Sequence, residues 1–141
     1  MGNLSCFFAG NAEKRENKKI VVSSRFKDEG GKPIPWEVRI ISAEEDEKIR
    51  KECTKTIQVV GKKGQFRERF DSNEYLTKLA VKSVVSPDLH NAELQNSYRV
   101  MDAEALIKTM LYKDEFDQLT EKLIEDSAAE DINDLIDTAK N

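Results

Sequence analysis

Histidine is almost missing from this chain, whose 141 residues include one His, two Cys and three Pro. A zinc site draws on about four ligands at close spacing, and His90 has neither a second His nor a Cys near it in sequence. Metal binding is therefore not expected. His90 follows Pro87-Asp88-Leu89, a loop or helix-start context that suits a surface residue better than a catalytic base. Cys6 and Cys53 lie far apart and no secretory signal is visible, so both read as reduced thiols and small buried hydrophobes rather than nucleophiles. Gly30-Gly31-Lys32 and Gly61-Lys62-Lys63-Gly64 lack the G-x-x-x-x-G-K-[ST] spacing that wraps N–H groups around a phosphate. Both read as turns. The run Glu44-Glu45-Asp46-Glu47 lacks the alternating oxygen ligands and central Gly of a calcium loop, and the dipole of a helix starting there explains it. No cofactor and no enzymatic activity are expected.

Long apolar runs are absent as well. No stretch approaches the roughly 20 residues that a helix needs to span a bilayer, and Phe7-Phe8 is too short for a signal-peptide core. Met1-Gly2-Asn3-Leu4-Ser5-Cys6 places Cys6 where an acylation signal wants Ser or Thr, so no membrane contact is expected. Asn3-Leu4-Ser5 spells a glycosylation sequon with no export signal to give it meaning. Lys and Arg number 23 against 27 Asp and Glu, a net charge of -4, with the acidic excess mainly in the last third. That balance disfavours nucleic acid, whose phosphates call for concentrated positive charge. The counter-feature is Lys62, Lys63, Arg67 and Arg69 interleaved with Phe66 and Phe70, since cations and aromatics on one strand can hold phosphates and stack bases. A solvated hairpin with Phe66 and Phe70 facing the core accounts for it better in an acidic chain.

What is present is a modest 38% of hydrophobic residues beside 35% of charged ones, a composition that suits one domain with long polar helix faces. Ile34, Trp36, Val38 and Ile40 alternate at the strand period of two, and Ile20 to Phe26 precede them across the turn-rich Lys27 to Pro33. This predicts a hairpin with an edge or a bulge at Pro35, which has no N–H to donate. Ser42 and Glu45 form a capping-box pattern for a charged helix from about Ala43 to Cys53. Thr54 to Val60 and Gln65 to Phe70 flank the Gly61 to Gly64 turn, predicting a second hairpin in the same sheet. Asp71 with Glu74 caps a helix that runs through Tyr75, Leu76, Leu79 and Val81 to Val85 until Pro87 ends it. Stripes at helical spacing follow: Ala103, Leu106, Ile107, Met110 and Leu111, then Phe116, Leu119, Leu123 and Ile124, then Ile132, Leu135, Ile136 and Ala139. The expected class is α+β, antiparallel β-hairpins followed by amphipathic helices. Residues 1–71 form the β-rich part with its short charged helix and 72–141 the helical part, together one compact domain with the last helix partly free.

Two groups of residues could serve a protein partner. Leu4, Phe7 and Phe8 belong to an apolar patch at the chain end, followed by the polar run Asn11 to Lys19; such a segment docks on its own domain or on something else. Leu106, Met110, Leu111, Phe116 and Leu119 could line a groove for an amphipathic helix, although stripes of this kind are ordinarily core.

Asn3-Leu4-Ser5-x-Phe7-Phe8-Ala9, Ser24-Arg25-Phe26, Gly31-Lys32-Pro33, Trp36-Glu37-x-Arg39, Pro87-Asp88-Leu89, Glu93-Leu94-Gln95 and Ser97-Tyr98 together resemble the XkdN-like tail assembly chaperones of PBSX-type phages and prophages. Met110-Leu111 and Phe116-Asp117-x-Leu119 resemble the helical end of several tail chaperone groups. The resemblance covers nearly the whole chain. It implies a protein of the bacterial host's cytoplasm that binds the tape-measure protein, helps to recruit tail tube subunits, has no catalytic residues and is absent from the finished tail. The alternative is a structural or regulatory interaction protein of a prophage tail or baseplate.

Overall fold

Alternation at Trp36 and Val38 puts two apolar side chains on one face of a short strand, and covering that face organises the rest of the chain. The computed structural model describes residues 3–125; Gly2 and the helix expected around Ile132 to Ala139 lie outside the described residues. A 3-10 turn at Leu4–Phe7 comes first. It is followed by β1 (Lys18–Ile20), β2 (Trp36–Val38), α1 (Ala43–Glu52), β3 (Thr54–Gln58), β4 (Phe66–Phe70), α2 (Ser72–Ser83), β5 (Val84–Ser86), α3 (Ala92–Ser97), α4 (Ala103–Met110) and α5 (Lys113–Ile124). The fold is α+β.

Strand β2 is the middle of a three-stranded antiparallel sheet, with β1 on one side and β5 on the other. The sequence-based expectations for the strands need correction. The first hairpin is shorter than predicted: Lys18 to Ile20 pair with Val38 to Trp36, whereas Val21 to Phe26 leave the ladder. Ser23 explains the departure, because its hydroxyl accepts the Arg25 N–H at 3.1 Å and bends the chain locally. A bridge between Lys27 and Pro33 then closes the loop, in which the Asp28 carboxylate accepts the Lys32 N–H and Gly31 takes a φ of 82°. Pro35 sits just ahead of β2, and the register shift falls between Glu37 and Val38 against β5 instead.

The helix capped by Asp71 stops at Ser83, and Val84 to Ser86 form β5 rather than a last helical turn. Two β-branched valines favour extended backbone, and Pro87 disfavours helical geometry at Ser86. The second hairpin does form, between β3 and β4, but as a sheet of its own. Every residue of β4 is exposed, so Phe66 and Phe70 do not face the core as expected. Helix α1 starts on the predicted capping box, with Ser42 Oγ accepting the Glu45 N–H and the Glu45 carboxylate accepting the Ser42 N–H. Helix α3, capped by Asn91, is an addition that six residues were too few to announce by periodicity.

Side chains from both halves share one hydrophobic cluster. Val22, Trp36 and Val38 meet Leu79 and Ala80 of α2, Leu89 between β5 and α3, Leu106 and Ile107 of α4, and Leu119 and Leu123 of α5. Trp36 is 2% exposed and Leu106 is fully enclosed. Arg25 ties the two halves at their rim. Its guanidinium donates two hydrogen bonds to Glu115, at 2.6 and 3.1 Å, and one to the Met110 carbonyl at 2.7 Å. It also lies between the rings of Phe26 and Tyr112, 4.9 and 4.7 Å from their centroids. A cation is thus placed at the C-terminal end of α4 and a carboxylate in the first turn of α5, each favoured by the helix dipole it meets. The Arg25 guanidinium holds the Glu115 carboxyl down at about 2, and the Tyr112 N–H adds to the effect.

Leu106→Ala is expected to cost roughly 2–5 kcal/mol of unfolding free energy in urea titration, the range for an enclosed leucine. A second expectation concerns acid. Because the folded Glu115 carboxyl is depressed below its ordinary 4.5, its contribution is complete above that value and is lost as pH falls through about 2. Glu115→Gln should therefore melt lower than the parent at pH 7, with the difference shrinking toward pH 2 in thermal melts; an equal difference at both pH values would contradict it.

Candidate protein-binding surfaces

The N-terminal arm is held by its own backbone. The Phe8 N–H donates to the Ser5 carbonyl, the Asn11 and Ala12 N–H groups both donate to the Phe8 carbonyl, and the Asn11 side chain donates to the Ser5 carbonyl at 2.7 Å. These bonds fold the arm into a compact turn without burying it. Leu4, Phe7 and Phe8 are 70%, 81% and 58% exposed and stay outside the core cluster. Three large apolar side chains within five residues of sequence are thereby left exposed, and exposed apolar groups that form a patch mark contact regions.

The second group of candidate residues is placed differently. Leu106, Met110, Leu111 and Leu119 are buried and belong to the core, with Phe116 packed against it as a half-buried neighbour. They pack within the fold, and Met110 also lines an apolar hollow beside Trp36. Most of the motif residues have similar duties. Arg25 bridges α4 and α5, Arg39 pairs with Glu45 at 2.6 Å, and Gln95 donates to the Leu89 carbonyl. Asp88 accepts the His90 N–H.

Two clefts among the described residues hold charged groups that are paired with one another. One of about 420 Å³ contains Arg39, Asp46, Arg50 and Tyr75. Arg50 pairs with Asp46 at 2.8 Å and stacks on Tyr75, whose hydroxyl donates to Asp46. Burial first, and the hydrogen bond to Asp46 second, push the Tyr75 hydroxyl up to about 12, so it stays protonated near neutrality. A wider one of about 810 Å³ contains His90, but Lys78 there pairs with Glu52 and Glu104, and Lys82 with Glu45. A small apolar hollow of about 220 Å³ lies between Ile34, Pro35, Pro87, Leu94 and Tyr98, over Trp36. Cys53 is buried, and burial pushes its thiol up; Cys6, expected to be buried, is exposed on the arm.

The hairpin carries a feature that composition alone did not single out. The pairing Lys55 with Arg69 and Ile57 with Arg67 gathers three cations on one face, while Phe66, Glu68 and Phe70 take the other. The period of two, applied to both strands together, would have revealed it.

Comparison with known proteins is consistent along the chain. Residues 4–140 match the family model described as phage XkdN-like tail assembly chaperone protein. The chain is 30% identical over 141 residues to the phage-like element PBSX protein XkdN of Bacillus subtilis strain 168, covering 99% of this chain and 94% of that protein. An uncharacterized protein of the same strain, YqbN, is also 30% identical over 141 residues and is covered to 93%. The crystal structure of YqbN superposes with a TM-score of 0.72 over 86% of this chain and 92% of that one. Residues paired by position in space are 24% identical, so this likeness concerns the fold.

The two thiols should differ in native conditions. With a disulfide-exchange reagent such as Ellman's, Cys6 is expected to react at once and Cys53 only on unfolding in denaturant. Immediate reaction of both would contradict the burial of Cys53.

Proposed function

The chain belongs to the phage XkdN-like tail assembly chaperone family, and from that premise we propose that it binds the tape-measure protein and helps to recruit tail tube subunits to it. It acts in the cytoplasm of the bacterial host and leaves before the tail is finished. The N-terminal arm carries this proposal, because Leu4, Phe7 and Phe8 are presented to solvent while the helical stripe is committed to the core. A chaperone that holds a long partner in solution needs apolar contacts that its own fold does not consume. It also needs a surface that resists self-association, which the net charge of -4 favours.

Binding through an apolar turn suits amphipathic helices, whose exposed stripes would otherwise meet one another. Phe7 and Phe8 supply the larger rings and Leu4 completes the patch. Truncating exposed side chains changes stability by only about 0.5 kcal/mol or less, so the arm can be altered without unfolding the domain.

Co-expression of tagged chain with the tape-measure and tube proteins, followed by pull-down, is expected to keep the tape-measure protein soluble and bound. The double variant Phe7→Ser/Phe8→Ser should lose that capture with an unchanged melting temperature. Mass spectrometry of purified particles should find the chain absent. Capture undiminished in the double variant would remove the arm from the site, and retention in particles would favour a structural role in the tail.

A further inference from the structure

The β3–β4 hairpin stands apart from the main sheet and concentrates positive charge in a chain whose net charge is negative. Between Lys55 and Arg69 lie five basic residues, Lys55, Lys62, Lys63, Arg67 and Arg69, against one acidic residue, Glu68, in a chain of net charge -4. Lys55 is directly opposite Arg69 across the ladder, an arrangement that is unfavourable in isolation. Lys55 has Glu74 at 3.6 Å; Lys62, Lys63, Arg67 and Arg69 have no ion pair among the described residues.

The register decides what this face suits. Single-stranded nucleic acid would call for aromatic rings among the cations, but Phe66 and Phe70 lie on the opposite face with Glu68 between them. Phe70 is further engaged by Tyr75, at a ring separation of 5.5 Å, and by Arg50. The cationic face offers a half-buried Ile57 instead, framed by Lys55, Arg67 and Arg69. At its root is a cleft of about 450 Å³ between Lys55, Ile57, Arg69 and the start of α2 at Asp71 to Asn73. Asp71 is turned inward to cap α2, accepting the Glu74 N–H at 3.1 Å.

We propose that this face, Lys55, Ile57, Arg67 and Arg69 with Lys62 and Lys63 at the turn, docks an acidic amphipathic helix of a protein partner. The apolar stripe of such a helix lies on Ile57 and its flanking carboxylates meet the cations, relieving the repulsion between Lys55 and Arg69. With a net charge of -4 the chain as a whole repels such a segment, so charge favours this face as the place where it lands. The site is separate from the N-terminal arm and does not depend on that arm's role.

Fluorescence anisotropy tests it with a labelled peptide that places Leu at helical spacing and Glu elsewhere. The peptide's Gln counterpart and an oligothymidylate serve as the other probes. The Glu peptide is expected to bind at low salt and to weaken steeply as salt rises, with the Gln peptide and the oligothymidylate binding less. Arg67→Glu/Arg69→Glu should weaken binding on the order of 10-fold or more, and Lys62→Glu/Lys63→Glu, at the exposed turn, should weaken it in the same direction. Failure of the Glu peptide to bind, binding indifferent to both double variants, or tighter binding of the oligothymidylate would each overturn the proposal.

Discussion

Apolar surface is scarce in this chain, and the whole fold follows from the need to cover Trp36 and Val38 with it. A single sheet leaves its apolar face open to water unless another layer covers it, so the face of β2 is closed by helices from the second half of the sequence. Helices α2, α4 and α5 bring their stripes to it and form one cluster with Val22, Trp36 and Val38. The strands then supply the surface on which the helices assemble, and neither half is complete without the other. Arg25 fixes the angle of that closure. Its bonds to Glu115 and the Met110 carbonyl span about 90 residues of sequence, and its guanidinium fills the gap between two aromatic rings. Similar rim contacts, Arg39 with Glu45 and the Asp46, Arg50, Tyr75 group, fasten α1 to the neighbouring elements.

Using the apolar residues this way leaves few for other purposes. Of the twelve large apolar side chains left exposed among the described residues, six lie on the N-terminal arm and the hairpin, two elements that add little to the core. The arm's turn is closed by backbone bonds, so it keeps a shape without needing burial. This division suits the proposed role, in which a rigid core stays folded while peripheral elements engage a partner. The two clefts that hold Arg50 with Asp46 and Lys78 with Glu52 and Glu104 add stiffness to the same end.

Much of this was legible in the residues. The capping box at Ser42 and Glu45, the Asp71 cap, the Gly61 to Gly64 turn and the stripes of α4 and α5 each rest on a local rule, and each led to the right element. What failed was non-local. Nothing near Val84 says that it will pair with Val38, since helical and extended forms of a short apolar run are separated only by a strand 46 positions earlier in the chain. Whether β3 and β4 would join the main sheet is likewise settled by tertiary packing. The stripe residues Leu106 and Leu119 illustrate a further limit: periodicity locates an apolar face but does not say whether the chain or a partner covers it. Leu4, Phe7 and Phe8 stood out for the opposite reason, as apolar residues that belong to no periodic element.

Hydrogen–deuterium exchange of the chain, free and mixed with the tape-measure protein, addresses the division between arm and core most directly. Slowed exchange over Leu4 to Ala12 with α4 and α5 unchanged is the result this account predicts. Unchanged exchange in the arm, with altered protection confined to α4 and α5, would contradict it and place the partner on the helices that the fold keeps for itself.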